Sequence, residues 1–242
     1  MAAHRALITA LRAAFVAHAD PANAVPMQAY MKSALPFYGM AAPLRRRLTA
    51  AAVKGNPVAD TRTLADTMLQ LWRTARFREE RYAAMELARV GANAKLAGLD
   101  LLPVYEEMIR TGAWWDYCDD ISGAAIAHLL QRHPGKMTPL LRRWAKGDDM
   151  WLRRASFLCQ RRLKTVDTRL LVDCIVPSIG TGKFADEFFI RKGIGWALRE
   201  RSYQAPDEVL AFCREHEAEL SPLTRREALR VIVKRARKPP SR

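Results

Sequence analysis

The chain has 242 residues, half of them apolar and 27% charged, which describes a folded globular protein and excludes a disordered one. Forty Lys and Arg stand against 25 Asp and Glu, and a formal net charge of +15 calls for a polyanionic partner. No stretch approaches the run of about 20 apolar residues that spans a bilayer, so a membrane is not the partner expected.

Helical spacing of apolar residues runs through nearly the whole chain, and no segment sustains strand alternation. The pattern predicts helices over 3–18, 21–34, 42–53, 61–73, 76–90, 98–110, 114–131, 135–146, 151–164, 167–178, 184–202, 206–218 and 221–236. The first of these is Ala-rich, basic and free of acids, as a transit peptide would be. Yet Leu7, Ile8, Leu11, Phe15 and Val16 recur at helical spacing, and a structural amphipathic helix is the preferred reading. Asp20-Pro21 places an acidic cap before a proline in the first turn, and Ala205-Pro206 and Ser221-Pro222 put proline at the same point. His133, before Pro134, reads as a C-terminal cap, while Pro134-Gly135 and Gly180-Thr181-Gly182 mark breaks. Gly182-Lys183 hints at a phosphate loop but lacks its leading glycine and a preceding strand.

Short helices joined by short loops stack as antiparallel pairs, and a run of pairs makes an α-solenoid with a curved binding face. The fold class expected is all-α: a solenoid of degenerate HEAT-like pairs fits the pattern, and an irregular bundle fits it nearly as well. A single domain over 1–236 is expected, followed by a basic, disordered tail over 237–242. Cys118, Cys159, Cys174 and Cys213 form no Cys-x-x-Cys pair, and the five histidines are scattered. That pattern argues against zinc, iron–sulfur clusters and disulfides, and a reducing cytosol fits best.

The segment TGAWWDYCDDISG (111–123) sets two tryptophans beside three acids in an otherwise basic chain. On a helix over 114–131, Trp114, Cys118, Ile121, Ala125 and Leu129 form a core stripe, while Trp115 and Asp119 stack one turn apart on another face. Taken alone, Trp115 packed on a neighbouring helix beside a solvated acid is the simpler reading. Three further segments interleave aromatics with cations. In 148–162, Trp151, Ala155 and Leu158 are apolar while Arg154, Arg161 and Arg162 project elsewhere; in 187–202, Trp196 lies one turn after Lys192 and three residues before Arg199; in 26–32, Tyr30 accompanies Lys32. Each alone fits an arginine lying over a core aromatic. Together, with the net charge, they fit a groove that grips phosphates and presses rings against sugars or bases.

At this point PMQAYMKSALPFYGM (26–40), GAWWDYCDDI (112–121), DMWLRRASFL (149–158), FFIRKGIGWALRE (188–200) and LSPLTRREAL (220–229) together resemble the AlkD-like DNA alkylation repair proteins, the HEAT-like-repeat alkylpurine DNA glycosylases, in the family's order. The resemblance implies an all-helical solenoid of degenerate HEAT-like pairs holding duplex DNA on a concave basic face, with no metal or redox cofactor. It implies hydrolysis of the N-glycosidic bond of N3- and N7-alkylated purines, without flipping the base into a pocket. By motif, Trp115 and Trp196 would pack against the lesion's deoxyribose, Asp119 would be the catalytic carboxylate, and Arg154 would contact phosphate beside it. Arg162, Arg199 and Tyr30 fall where the family makes further DNA contacts, and Lys192 joins them by its place before Trp196. Cys118 and Asp120 depart from the small apolar and small polar residues expected there, which leaves the local charge in question. A monomer on alkylated double-stranded DNA, in the bacterial cytoplasm at the nucleoid, is the expected setting. The runner-up is a noncatalytic HEAT-like protein that binds damaged or branched DNA; a solenoid for an acidic protein partner is the third reading.

Overall fold

The computed structural model describes residues 3–161, 163 and 167–236, and among these the chain is helical with no strand. It divides within the helix Leu102–Gly112 into two compact units, one up to Met108 and one from Ile109 onward. No helix among the described residues is long and apolar enough to cross a membrane. Arg162 and the tail 237–242 lie outside the described residues.

The first unit comprises α1 (Arg5–Ala17), α2 (Pro21–Met31), α3 (Ala42–Gly55), α4 (Thr61–Arg73), α5 (Arg78–Glu86) and the start of α6 (Leu102–Gly112), with short 3₁₀ turns between α5 and α6. Helix α1 is a structural element: Leu7, Ile8, Leu11 and Phe15 are buried, while Val16, expected on the same stripe, is exposed. Asp20 caps α2 as expected, its carboxylate accepting the backbone N–H of Ala22 and Asn23. The core of this unit is partly ionic. Glu79 is fully buried and accepts the backbone N–H groups of Tyr38, Gly39 and Met40 at 3.0, 2.9 and 3.2 Å. Glu80 accepts the Tyr38 hydroxyl at 2.9 Å and pairs with Arg12 at 3.0 Å; Glu86 pairs with Arg45 at 2.7 Å. Burial, reinforced by the Glu80 charge, pushes the Tyr38 phenol above its ordinary range.

The second unit continues α6 and adds α7 (Trp115–Ile121), α8 (Ala127–Arg132), α9 (Pro134–Lys146), α10 (Met150–Leu158), α11 (Thr168–Ile175), α12 (Phe188–Arg201), α13 (Pro206–Glu215) and α14 (Pro222–Ala236). Each predicted helical range contains a helix, but the boundaries move. The range 114–131 is not one α-helix: a π-turn over Ser122–Ile126 separates α7 from α8. The range 151–164 stops at Leu158, and 184–187 is a turn that precedes α12. A 3₁₀ turn over Gly91–Leu96 has no counterpart in the sequence reading. Helix α10 is buried from Trp151 to Leu158 and is packed by α7, α9 and α12. Helix α12 reaches both α10 and α14 closely because it carries glycine on both sides. A Cβ on Gly193 would lie 2.5 Å from Arg154 Nη1, and one on Gly195 would lie 2.6 Å from the Glu227 Cβ.

Gly39 has a φ of +88°, and a Cβ there would sit 2.0 Å from the Asp20 carbonyl oxygen. An L side chain is strained at that φ and must displace backbone. Gly39→Ala should therefore destabilise the first unit by about 3 kcal/mol or more, by the combined scale of strain and overpacking. Urea unfolding followed by circular dichroism measures it.

Candidate active site

Helix α7 starts abruptly. Trp114 is its N-cap, in extended conformation (φ −149°, ψ 149°), and is partly buried. Its ring packs edge-on against Phe189 of α12 at 5.5 Å, and Trp151 of α10 meets the same phenylalanine at 5.3 Å. Phe189 thus ties α7, α10 and α12 together. Cys118 and Ile121 do face the core, and the Cys118 thiol bonds to the Trp151 carbonyl at 3.3 Å. Burial, with the Asp119 charge added, pushes that thiol upward and keeps it neutral. The unexpected cysteine is therefore a small packing residue and no thiolate nucleophile.

Trp115 and Asp119 follow one turn apart on α7 and are both partly exposed. Asp119 is held by Arg154 in a two-pronged pair: Nε donates to Oδ1 at 2.8 Å and Nη2 to Oδ2 at 2.9 Å. Arg154 Nη1 donates to the Phe189 carbonyl. The Asp119 side chain retains 12% exposure and Arg154 only 4%. The cation expected to reach for phosphate is instead buried, its fork facing the carboxylate. Burial raises the Asp119 pKa above the usual aspartate range, and Asp116 adds to the rise; the bonds and charge of Arg154 and the charge of Arg161 oppose it. A carboxylate kept partly dry and aligned through both oxygens can stabilise a developing cation or orient a water.

Trp196 is half-buried on α12; its indole N–H donates to Glu200 at 3.0 Å, and the Arg161 guanidinium lies 3.8 Å over its ring. Lys192 and Arg199, on the same helix, both pair with Glu227 of α14, Lys192 at 2.7 Å. The Lys192 hydrogen bond, then the charges of Lys192 and Arg199, draw the Glu227 pKa down. So Asp119 of α7 meets Arg154 of α10, which also reaches the Phe189 carbonyl of α12, while Trp196 lies under Arg161 and Lys192 and Arg199 form a separate cluster on Glu227. Tyr30 belongs to the other unit, where it is 75% exposed on α2. Arg161, grouped in the sequence with Arg154 and Arg162 but given no role, is the residue that pattern reading passed over. Among the described residues no group of three or more His, Cys, Asp or Glu side chains could hold a metal ion.

Residues 11–232 match the family model described as "DNA alkylation repair enzyme". Among solved structures, a protein described as a predicted DNA alkylation repair enzyme from Enterococcus faecalis has 28% sequence identity and a TM-score of 0.78. The match covers 89% of this chain and 97% of that one. No curated protein matches the chain.

The contact between Gly193 and Arg154 gives a test of the site's packing. Alanine in an exposed helix stabilises relative to glycine by roughly 0.5–1 kcal/mol. Here the added methyl meets Arg154 Nη1 at 2.5 Å and Phe157 at 3.0 Å, so Gly193→Ala should reverse the sign and cost about 1–3 kcal/mol. Thermal unfolding of the two proteins decides it.

Proposed function

Since the chain belongs to the DNA alkylation repair enzyme family, we propose that it is a glycosylase that hydrolyses the N-glycosidic bond of cationic N3- and N7-alkylated purines in duplex DNA. The observation that carries this reading is the Asp119 carboxylate, aligned by Arg154 at 2.8 and 2.9 Å, one turn after a partly exposed Trp115.

An N3- or N7-alkylated purine already bears positive charge and leaves as a neutral base, so its departure needs no general acid. Cationic character then passes to the deoxyribose. Asp119 opposes that charge and positions the attacking water, the role a carboxylate plays at an oxocarbenium-like sugar. The indoles of Trp115 and Trp196 add cation–π attraction of about 1–2 kcal/mol each where water is excluded, and about 1.4 kcal/mol is tenfold in rate. Arg154 contributes by fixing the carboxylate; Lys192, Arg199 and Tyr30 supply backbone contacts. The protein acts as a monomer and takes the damaged nucleotide through its sugar and phosphate, so bulky adducts are accepted and neutral lesions such as uracil are not.

One feature favours a noncatalytic reading: a buried bidentate pair is also a plain means of fastening α7 to α10. The two separate on a 7-methylguanine-containing duplex. Asp119→Asn should cut base release by about 100-fold or more, on the scale of losing one electrostatic stabiliser, while duplex affinity stays within about threefold. Equal release by both proteins would end the assignment.

The pH dependence has a definite sign. Reaction needs the ionised carboxylate, whose pKa is raised chiefly by burial. Enzymatic release should therefore fall as pH drops through a value above the ordinary aspartate pKa of about 3.9. Rates corrected for spontaneous depurination measure this limb, and a limb at or below the ordinary value would contradict it.

A further inference from the structure

We propose that Arg161 is a positioning residue of this site: its guanidinium, held between Gly123 and the Trp196 ring, orients the indole and sets a permanent cation beside Asp119. The proposal deepens the glycosylase reading and rests on it for its catalytic consequence.

Three observations from separate elements meet at this side chain. The guanidinium carbon lies 3.8 Å over the Trp196 ring, close enough for plane-on-plane stacking, while the indole N–H is bound to Glu200. A Cβ on Gly123 would fall 2.8 Å from Arg161 Nη2, so the guanidinium occupies the space that only glycine leaves. Gly123 lies in the π-turn Ser122–Ile126, directly after the helix that carries Asp119. Such turns recur at functional sites because the added residue displaces the helix surface locally. The end of α10 at Leu158 completes the arrangement, since the turn that follows, with the Arg161 N–H bonded to the Leu158 carbonyl, carries Arg161 off the α10 surface.

The consequence for the reaction is twofold. With Arg161 over one face and Glu200 on its N–H, the Trp196 ring has a fixed plane and offers its other face to a sugar. Arg161 also acts on the carboxylate through its charge. Among the charged groups bearing on Asp119 are Arg154 and Arg161 from the α10 side and Asp116 on its own helix. On α12, Glu200 is engaged with Trp196, and Lys192 and Arg199 are engaged with Glu227. Arg161 thus helps keep Asp119 ionised where burial disfavours the charge.

Three variants of the full chain test this. Arg161→Met keeps bulk and removes charge and plane, Arg161→Lys keeps charge alone, and Gly123→Ala leaves Arg161 present but pushes its guanidinium away. The readouts are the Trp196 indole N–H resonance, the Asp119 carboxyl titration by NMR, and the pH profile of 7-methylguanine release. Arg161→Met and Gly123→Ala should each broaden or shift the indole signal and move the titration and the acid limb to higher pH. Each should lower kcat by roughly tenfold with little change in KM, the pattern of lost orientation. Arg161→Lys should restore the titration and leave the indole disturbed. An unmoved indole signal and an unmoved titration in a folded Arg161→Met protein overturn the proposal; if that protein does not fold, the same two signals in Gly123→Ala decide. Absence of release by the unaltered enzyme would refute the glycosylase reading, while the titration and the indole signal would still judge the clamp.

Discussion

A carboxylate that is almost dry and still charged is what the second unit is arranged around. Asp119 retains 12% exposure and stays ionic because Arg154 meets both oxygens. Burying two charges is expensive, and the pair's attraction repays it only with good geometry and further hydrogen bonds. The surroundings supply both. The third donor of Arg154 goes to the Phe189 carbonyl, and Gly193 opens the space its guanidinium fills. Phe189 then meets Trp114 and Trp151, so the residue that accepts from the arginine also joins the three helices around it.

Buried acids are matched by internal partners in both units. In the first unit acids are buried and matched internally, with Glu79 on backbone N–H groups, Glu80 on Tyr38 and Arg12, and Glu86 on Arg45. There, ion pairs hold a loop and helices in place. In the second unit Glu227 gathers Lys192 and Arg199, leaving that cluster cationic overall. The net charge of +15 is thus an excess left after many arginines have been assigned to structure. The number of basic residues on a helix therefore overstates how many are available to a polyanion.

Much of the helical content was readable from periodicity and caps, because proline and capping acids act locally. Asp20, Ser221 and the prolines after Ala205 and Ser221 stand at helix starts. The pairing of Trp115 with Asp119 needed only helical spacing. What escaped depends on partners far along the chain. Arg154 occupies a position that reads as outward-facing, and only a carboxylate 35 residues earlier makes its burial tolerable. Arg161 would share a stripe with Arg154 on an α-helix running to 164, and it reaches Trp196 because α10 ends at Leu158. The π-turn left no periodic trace, since one added residue is too small a shift for a hydrophobic pattern to register.

That turn over Ser122–Ile126 carries a structural consequence of its own. An α-helix advances by about 100° per residue, so one surplus residue rotates everything after it by that amount relative to everything before. The helix Ala127–Arg132, anchored through Leu129 and Leu130, and the helix bearing Trp115 and Asp119 are therefore geared to each other by a single inserted position. Deleting one residue there would mend the local hydrogen bonding and swing the indole and carboxylate off their axis, leaving a sounder helix and a dismantled site.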